Sequence, residues 1–182
     1  MKTLIFIGSP RKNGDTMNLV NACLSNLVGE YKIVYTYDCN IKPCLDCRYC
    51  RENKGCCQHD GMQEIYQYIQ ECDNILIASP LYFSELTGQL LTVTSRLQTY
   101  FCAKFFRKEE PINRKKKGAV ILVGGGDGHI ENAYGTACIL LHLMNARDIL
   151  PAVYSHNTDN TPSINDRAAL QGAKDIALFF NH

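Results

Sequence analysis

The stretch that most constrains this chain is Gly8-Ser9-Pro10-Arg11-Lys12-Asn13-Gly14-Asp15-Thr16. It follows the apolar run Leu4-Ile5-Phe6-Ile7, which has the length of a buried strand. It precedes Leu19, Val20, Cys23, Leu24, Leu27 and Val28, which fall at the spacing of an amphipathic helix. A strand that passes through a short polar loop into a helix start aims free backbone N–H groups and a positive dipole end at one point. Ser9 and Thr16 add hydroxyl groups and Arg11 adds a planar positive fork, while Gly8 and Gly14 allow close backbone approach. The stretch reads as a phosphate cradle. The competing reading is an ordinary polar turn with Asp15 or Thr16 as helix N-cap.

The kind of phosphate is narrowed by what the loop lacks. A nucleotide-hydrolase loop requires Gly-x-x-x-x-Gly-Lys-Ser/Thr, with the lysine reaching the outer phosphates. Here Gly14 is followed by Asp15, and the dinucleotide pattern Gly-x-Gly-x-x-Gly is absent as well. A single terminal phosphate, as on a mononucleotide such as FMN, fits better.

Further along, residues 32–37 alternate as a second strand, and a cysteine-rich loop occupies residues 39–59. Asp60 and Gln63 form a capping-box pattern ahead of Met62, Ile65, Tyr66 and Ile69. Residues 74–78 read as a third strand closed by Ser79-Pro80, and residues 86–101 as one long helix. Residues 119–123 form a fourth strand, followed by a glycine run and a helix over 130–145. Residues 149–154 read as a last strand, with Pro151 arguing for an edge position, and 165–180 as a closing helix. Five strands alternating with five helices predict one α/β domain over 1–182, a parallel sheet covered on both faces. The crossover rules bring the ends of strands one, three and four to one rim. That rim gathers the phosphate loop, Pro80-Leu81-Tyr82-Phe83-Ser84 and the run from Gly124 and Gly125.

Charge and length exclude several classes. A formal net charge of +1 over 182 residues gives no footprint for nucleic acid or anionic membrane. The basic run of Arg107, Lys108 and residues 114–117 reads as a solvated segment. The first apolar stretch is too short for a signal-peptide core, and no segment is long enough to span a bilayer, so a cytoplasmic protein is the default expectation. Ten cysteines are then better read as thiols or metal ligands than as a disulfide framework. Cys23, Cys39, Cys72, Cys102 and Cys138 are scattered, mostly at apolar helix positions, and read as small core hydrophobes. Cys44, Cys47, Cys50, Cys56 and Cys57 crowd one stretch. Cys44, Cys47, Cys50 and Cys56 have spacing able to wrap one metal centre, with Cys57 an alternative fourth ligand.

Ile7-Gly8-Ser9-Pro10-Arg11 with Gly14-Asp15-Thr16, then Ser79-Pro80-Leu81-Tyr82-Phe83, resembles the NAD(P)H-dependent FMN reductases of the flavodoxin-like superfamily. The Cys-x2-Cys-x2-Cys-x5-Cys motif resembles that of their iron-sulfur flavoprotein branch. The resemblance implies a flavodoxin-like three-layer sandwich with a five-stranded parallel sheet in the order 2-1-3-4-5. It implies FMN as cofactor, with Ser9, Arg11, Gly14, Asp15 and Thr16 at the phosphate. Pro80, Leu81, Tyr82 and Phe83 would lie along the ribityl chain and ring, with Gly124 and Gly125 giving backbone access. The family usually has asparagine where this chain has Asp15; a carboxylate beside a phosphate is repulsive unless it turns away to cap the helix or pairs with Arg11 or Lys12.

The implied activity is NAD(P)H oxidation through FMN, with electrons passed to a small-molecule or protein acceptor. No side chain is then required as a catalytic acid or base. A [4Fe–4S] cluster on Cys44, Cys47, Cys50 and Cys56 is one reading of the cysteine loop; zinc and free thiols or disulfides are the others. The resemblance also implies a homodimer or homotetramer. The rival function is an FMN-binding electron carrier or redox sensor without NAD(P)H turnover, and near-neutral charge argues mildly against the carrier. A metal-binding regulator with an unused nucleotide site is a third reading.

Overall fold

The computed structural model describes residues 1–182. At its centre β1 (Lys2–Ile7) lies between β2 (Glu30–Tyr35) and β3 (Asn74–Pro80), with β4 (Lys116–Val123) beyond β3, all parallel. Strands β1, β3 and β4 are buried on both faces, and alternate residues enter different cores, whereas β2 at the edge buries only Val34. Leu4, Phe6, Ile75, Ile77, Val120 and Leu122 face one side; Ile5, Ile7, Leu76, Ala78, Ala119 and Ile121 face the other. Helices α1 (Asp15–Leu24) and α7 (Arg167–Asn181) cover the second side. The first is covered by α3 (Met62–Glu71), α4 (Gly88–Thr94), α5 (Gln98–Phe105) and α6 (Glu131–Leu143). The short α2 (Tyr49–Glu52) belongs to the cysteine-rich loop and buries no residue. The three layers and the order 2-1-3-4-5 are those expected.

The sheet differs from expectation at its far edge, where it has six strands rather than five. The expected last strand is two pieces, β5 (Ala146–Ile149) and β6 (Val153–Ser155), which pair in succession with β4. Pro151 lies between them, and a residue without an N–H interrupts the ladder. The expected helix over 86–101 is also broken, into α4, a 3-10 turn at Ser95–Leu97, and α5. Thr94 Oγ1 donates to Leu90 O at 2.8 Å and Ser95 Oγ to Thr92 O at 2.6 Å. Hydroxyls that bond back to the preceding turn bend helices in this way.

Two smaller expectations need correction. Asp60 Oδ1 accepts from the Met62 amide at 3.0 Å, but Gln63 reaches Gln58 O at 2.8 Å, so the capping box does not close. Nor is the basic run simply solvated. Lys116 is buried, its Nζ donating to Cys72 O at 2.8 Å, and Lys117 Nζ donates to Phe179 O at 2.8 Å.

Candidate functional site

Backbone hydrogen bonds bring the three strand-end loops to one rim. The Gly8 amide donates to Ala78 O at 2.7 Å, and the Leu81 amide to Val123 O at 2.8 Å. Thr87 Oγ1 donates to Gly8 O at 2.8 Å. The contact at Gly8 leaves no room for a side chain: a Cβ there would stand 2.8 Å from Ser79 Oγ and 2.9 Å from Thr87 Oγ1. Glycine is needed for this close approach rather than for backbone freedom.

Beyond Gly8, Ser9 is buried and its Oγ accepts from the Arg11 amide at 3.2 Å, which closes the turn. Arg11 is exposed, and Thr16 is buried in the first turn of α1. The cap position of α1 is Gly14, so no side chain caps the helix start. Its first amides are therefore open to an anion. Asp15 does not face that opening; its Oδ1 accepts from the Ser163 amide at 2.7 Å, and its backbone oxygen accepts from Ser163 Oγ at 3.0 Å. The carboxylate is tied to the turn that precedes α7.

The second loop has a feature that its residue types conceal. Tyr82 and Glu85 exchange both backbone hydrogen bonds, at 2.9 and 3.1 Å, around Phe83 and Ser84. Phe83 and Ser84 have φ values of 55° and 61°, the left-handed signature of a tight two-residue hairpin. Such turns favour Asn-Gly, so Phe-Ser carries no recognisable signal. The turn leaves Leu81 half-buried, Tyr82 46% exposed and Phe83 fully exposed at 103%.

In the third loop the glycine run pairs with residues 155–159, which sequence reasoning left out of the site. The Gly124 amide donates to Ser155 O at 2.9 Å, while Thr158 N donates to Gly124 O at 3.0 Å and Asp159 N to Gly125 O at 3.2 Å. A Cβ on Gly125 would stand 2.6 Å from an Asp159 carboxylate oxygen. Tyr154 donates to Gly128 O at 2.9 Å, and His156 Nδ1 lies 2.8 Å from Asp127 Oδ1. The polar cluster Ser155-His156-Asn157-Thr158-Asp159 after β6 was the available signal.

The cysteine-rich loop is fixed to the turn between α4 and α5. Arg96, whose side chain is fully buried, pairs with Asp60 at 2.6 Å. Its Nη1 also donates to Lys42 O at 3.0 Å and its Nη2 to Gln58 O at 3.2 Å, so it holds both ends of the loop. Burial pushes the Asp60 carboxyl up. The Arg96 hydrogen bond, with the Met62 and Lys42 amides, outweighs this and holds it below the usual carboxylate value. Ser95 Oγ accepts from the Cys44 amide at 2.9 Å and Thr99 Oγ1 donates to Gly55 O at 2.9 Å. Arg107 donates to Cys50 O.

Within this frame Cys44, Cys47, Cys50, Cys56 and Cys57 line one small cavity together with Cys102, which projects from α5. Cys102 is buried, as its apolar position suggested, but sequence reasoning did not connect it to the loop. Burial, followed by the neighbouring Cys102 thiol, pushes Cys50 up to about 12. Cys47 is lowered, first by the Tyr49 amide and then by the Cys57 thiol. Cys47 and Cys57 Sγ are 3.3 Å apart. No three His, Cys, Asp or Glu side chains converge at metal-ligand spacing. The donor chemistry suits a thiolate centre, but the four sulfurs are gathered around one space without being assembled as a ligand shell. A separate cleft of about 460 Å³, lined by Gln63, Tyr66, Tyr100 and Arg107 among others, shares no residue with the rim.

Residues 1–160 match the family model described as NADPH-dependent FMN reductase. The chain belongs to that family. Among its relatives, an iron-sulfur flavoprotein from Archaeoglobus fulgidus is 29% identical over 158 residues, covering 85% of this chain and 67% of the relative. One from Methanocaldococcus jannaschii is 33% identical over 129 residues, covering 69% of this chain and 62% of the relative. The chain thus spans about two thirds of the length of these curated relatives. The solved NAD(P)H:quinone oxidoreductase from Methanothermobacter marburgensis superposes with a TM-score of 0.75 at 16% identity, covering 100% of this chain and 96% of that one. An FMN-dependent NADH-azoreductase from Bacillus anthracis in complex with FMN gives 0.67 at 14% identity, covering 100% and 99%. These two likenesses establish the fold. No helix of this family member is long and apolar enough to cross a membrane.

Proposed function

We propose that the protein is an FMN-dependent NAD(P)H oxidoreductase that passes electrons to a small-molecule acceptor or a redox partner protein. The observation that carries this reading is the uncapped start of α1 beside the tightly packed Gly8, on a chain of the FMN reductase family. Ser9, Arg11, Gly14 and Thr16 are assigned to the FMN phosphate, with hydroxyl, guanidinium and backbone N–H donors around one anion. Asp15 belongs to this site as the residue that ties α1 to Ser163, and its carboxylate is kept off the anion by that bond. Pro80, Leu81, Tyr82 and Phe83 provide the apolar and aromatic lining for the ring, and Gly124 and Gly125 the close backbone approach. Bound FMN supplies hydride acceptance from a nicotinamide and onward electron release, so the chain's own task is to bind, orient and shield.

Exposure of Tyr82 and Phe83 supports a homodimer or homotetramer in which a neighbouring subunit covers this face. The names of the relatives and the six-cysteine cavity support a [4Fe–4S] cluster on Cys44, Cys47, Cys50 and Cys56, which would supply one-electron capacity. The loop would then rearrange to bring the four sulfurs into contact with it. The family match favours the oxidoreductase over the carrier without nicotinamide turnover.

Titration of the metal-free apoprotein with FMN, followed by quenching of the ligand's fluorescence, tests the cofactor; an unchanged signal would remove the proposal. NADH or NADPH oxidation with a quinone acceptor tests the activity. Binding of FMN without turnover by either nucleotide, whatever the acceptor, would assign the carrier instead. Anaerobic purification with iron and sulfide analysis tests the cluster separately.

A further inference from the structure

Residues 44–57 hold five cysteines where a four-thiolate centre requires four, and the fifth lies against one of the other four. Cys47 and Cys57 are both exposed and are separated by 10 positions in sequence, yet their Sγ atoms are 3.3 Å apart. Sulfurs already in contact need close only by a side-chain adjustment to reach the roughly 2 Å of a disulfide. Because both thiols are exposed, an oxidant can reach them without local unfolding.

We propose that Cys47 and Cys57 form a reversible disulfide, which withdraws Cys47 from metal ligation and makes the cysteine loop a sensor of hydroperoxides. In the first step one thiolate attacks a peroxide oxygen; the O–O bond breaks, a sulfenic acid forms and the distal oxygen leaves as water after protonation. In the second step the other thiolate attacks that sulfur, the S–O bond breaks and a second water leaves. Two thiols lose two electrons and two protons in total, and hydrogen peroxide gains them. A dithiol reductant reverses the change by thiol–disulfide exchange. The disulfide itself does not depend on any cofactor; the gating of metal uptake rests on the thiolate-centre reading above.

The test begins with metal-free protein that has been reduced, freed of reductant and exposed to hydrogen peroxide. The remaining thiols are alkylated, and the digest is examined by mass spectrometry. A single cross-linked peptide joining Cys47 to Cys57, absent in Cys57→Ser, is the expected result. Cross-linking through Cys44, Cys50 or Cys56 instead, or loss of thiols without a cross-link, would overturn the pairing. Iron and sulfide are then offered anaerobically and visible absorbance is read. Reduced wild type and Cys57→Ser should take up iron equally, oxidised wild type should take up none, and a dithiol should restore it. Failure of Cys57→Ser alone to take up iron would make Cys57 a ligand and overturn its role as the resolving thiol. Failure of every reduced form would remove the metal gating and leave the disulfide to be judged on the cross-link.

Discussion

Arg96 offers the sharpest test of how the cysteine loop is held. Removing one partner of a buried ion pair costs about 3–5 kcal/mol when the other is stranded. Two features reduce this for Arg96→Met. Asp60 keeps amide donors from Met62 and Lys42, at 3.0 and 3.2 Å, and the Arg96 Nε is buried without a partner. An unpaired buried donor costs about 1–3 kcal/mol, part of which is recovered when it is removed. The expected loss is therefore about 2 kcal/mol. Asp60→Asn should be worse, about 3–4 kcal/mol, because the stranded group is a fully buried guanidinium that keeps its proton.

Urea unfolding at neutral pH measures both, and the double variant should cost less than the sum by about 1–3 kcal/mol. The pH dependence has a definite sign. Because the folded Asp60 carboxyl is held below its ordinary value, its contribution is complete above about pH 4 and fades as pH falls through the folded value. The gap between wild type and Arg96→Met should narrow in that acid range. Release of the Lys42 and Gln58 carbonyls should also speed reaction of the loop cysteines with a chromogenic thiol reagent. A loss below about 0.5 kcal/mol for Arg96→Met, the range of ordinary surface changes, would refute the clamp. So would an Asp60→Asn variant more stable than Arg96→Met.

Gly8→Ala should lower stability by about 1–3 kcal/mol through overpacking against Ser79, Thr87 and Leu90, and weaken FMN binding about tenfold or more, read by thermal melting and fluorescence titration. Asp15→Asn should change FMN affinity by less than about threefold, since an amide oxygen can still accept from Ser163; tightening by more than about tenfold would place the carboxylate at the phosphate. Ser84→Gly should stabilise by roughly 0.5 kcal/mol: relief of about 1–2 kcal/mol of left-handed strain is offset by about 0.5–1 kcal/mol of glycine entropy. A loss of stability in urea unfolding would contradict the strained-hairpin reading.

The layers were legible because apolar runs such as Leu4–Ile7 and Ala119–Val123 suit a parallel sheet covered on both faces, whereas the strand order came from the family resemblance. The rim was legible from the crossover rules, which bring the ends of strands one, three and four, and with them Gly8, Pro80 and Gly124, to one side. What was not legible depended on side-chain bonds between distant segments. Nothing near Arg96 in sequence announces that it reaches Lys42, Gln58 and Asp60. Hydroxyls that bend a helix, as at Thr94 and Ser95, look like ordinary helix surface until their acceptors are known. The hairpin at Phe83 and Ser84 was hidden because its residues contradict local preference, and strain of that kind survives only where the surrounding fold fixes it.

The same bonds join the two candidate sites through one element. Thr87, just ahead of α4, donates to Gly8 O at the phosphate loop. Ser95, Arg96 and Thr99, further along the same run, hold Cys44, both ends of the cysteine loop and Gly55. From Thr87 to Thr99 is about 18 Å at helical rise. The cysteine loop is therefore referenced to the phosphate loop by one largely helical run packed on the core, and that reference exists in the protein itself. Arg96→Met should release the loop while leaving the Thr87 bond, and hence FMN affinity, unchanged. A fall of about tenfold or more in FMN affinity for that variant would mean that the run transmits the disturbance, and that the two sites are coupled through it.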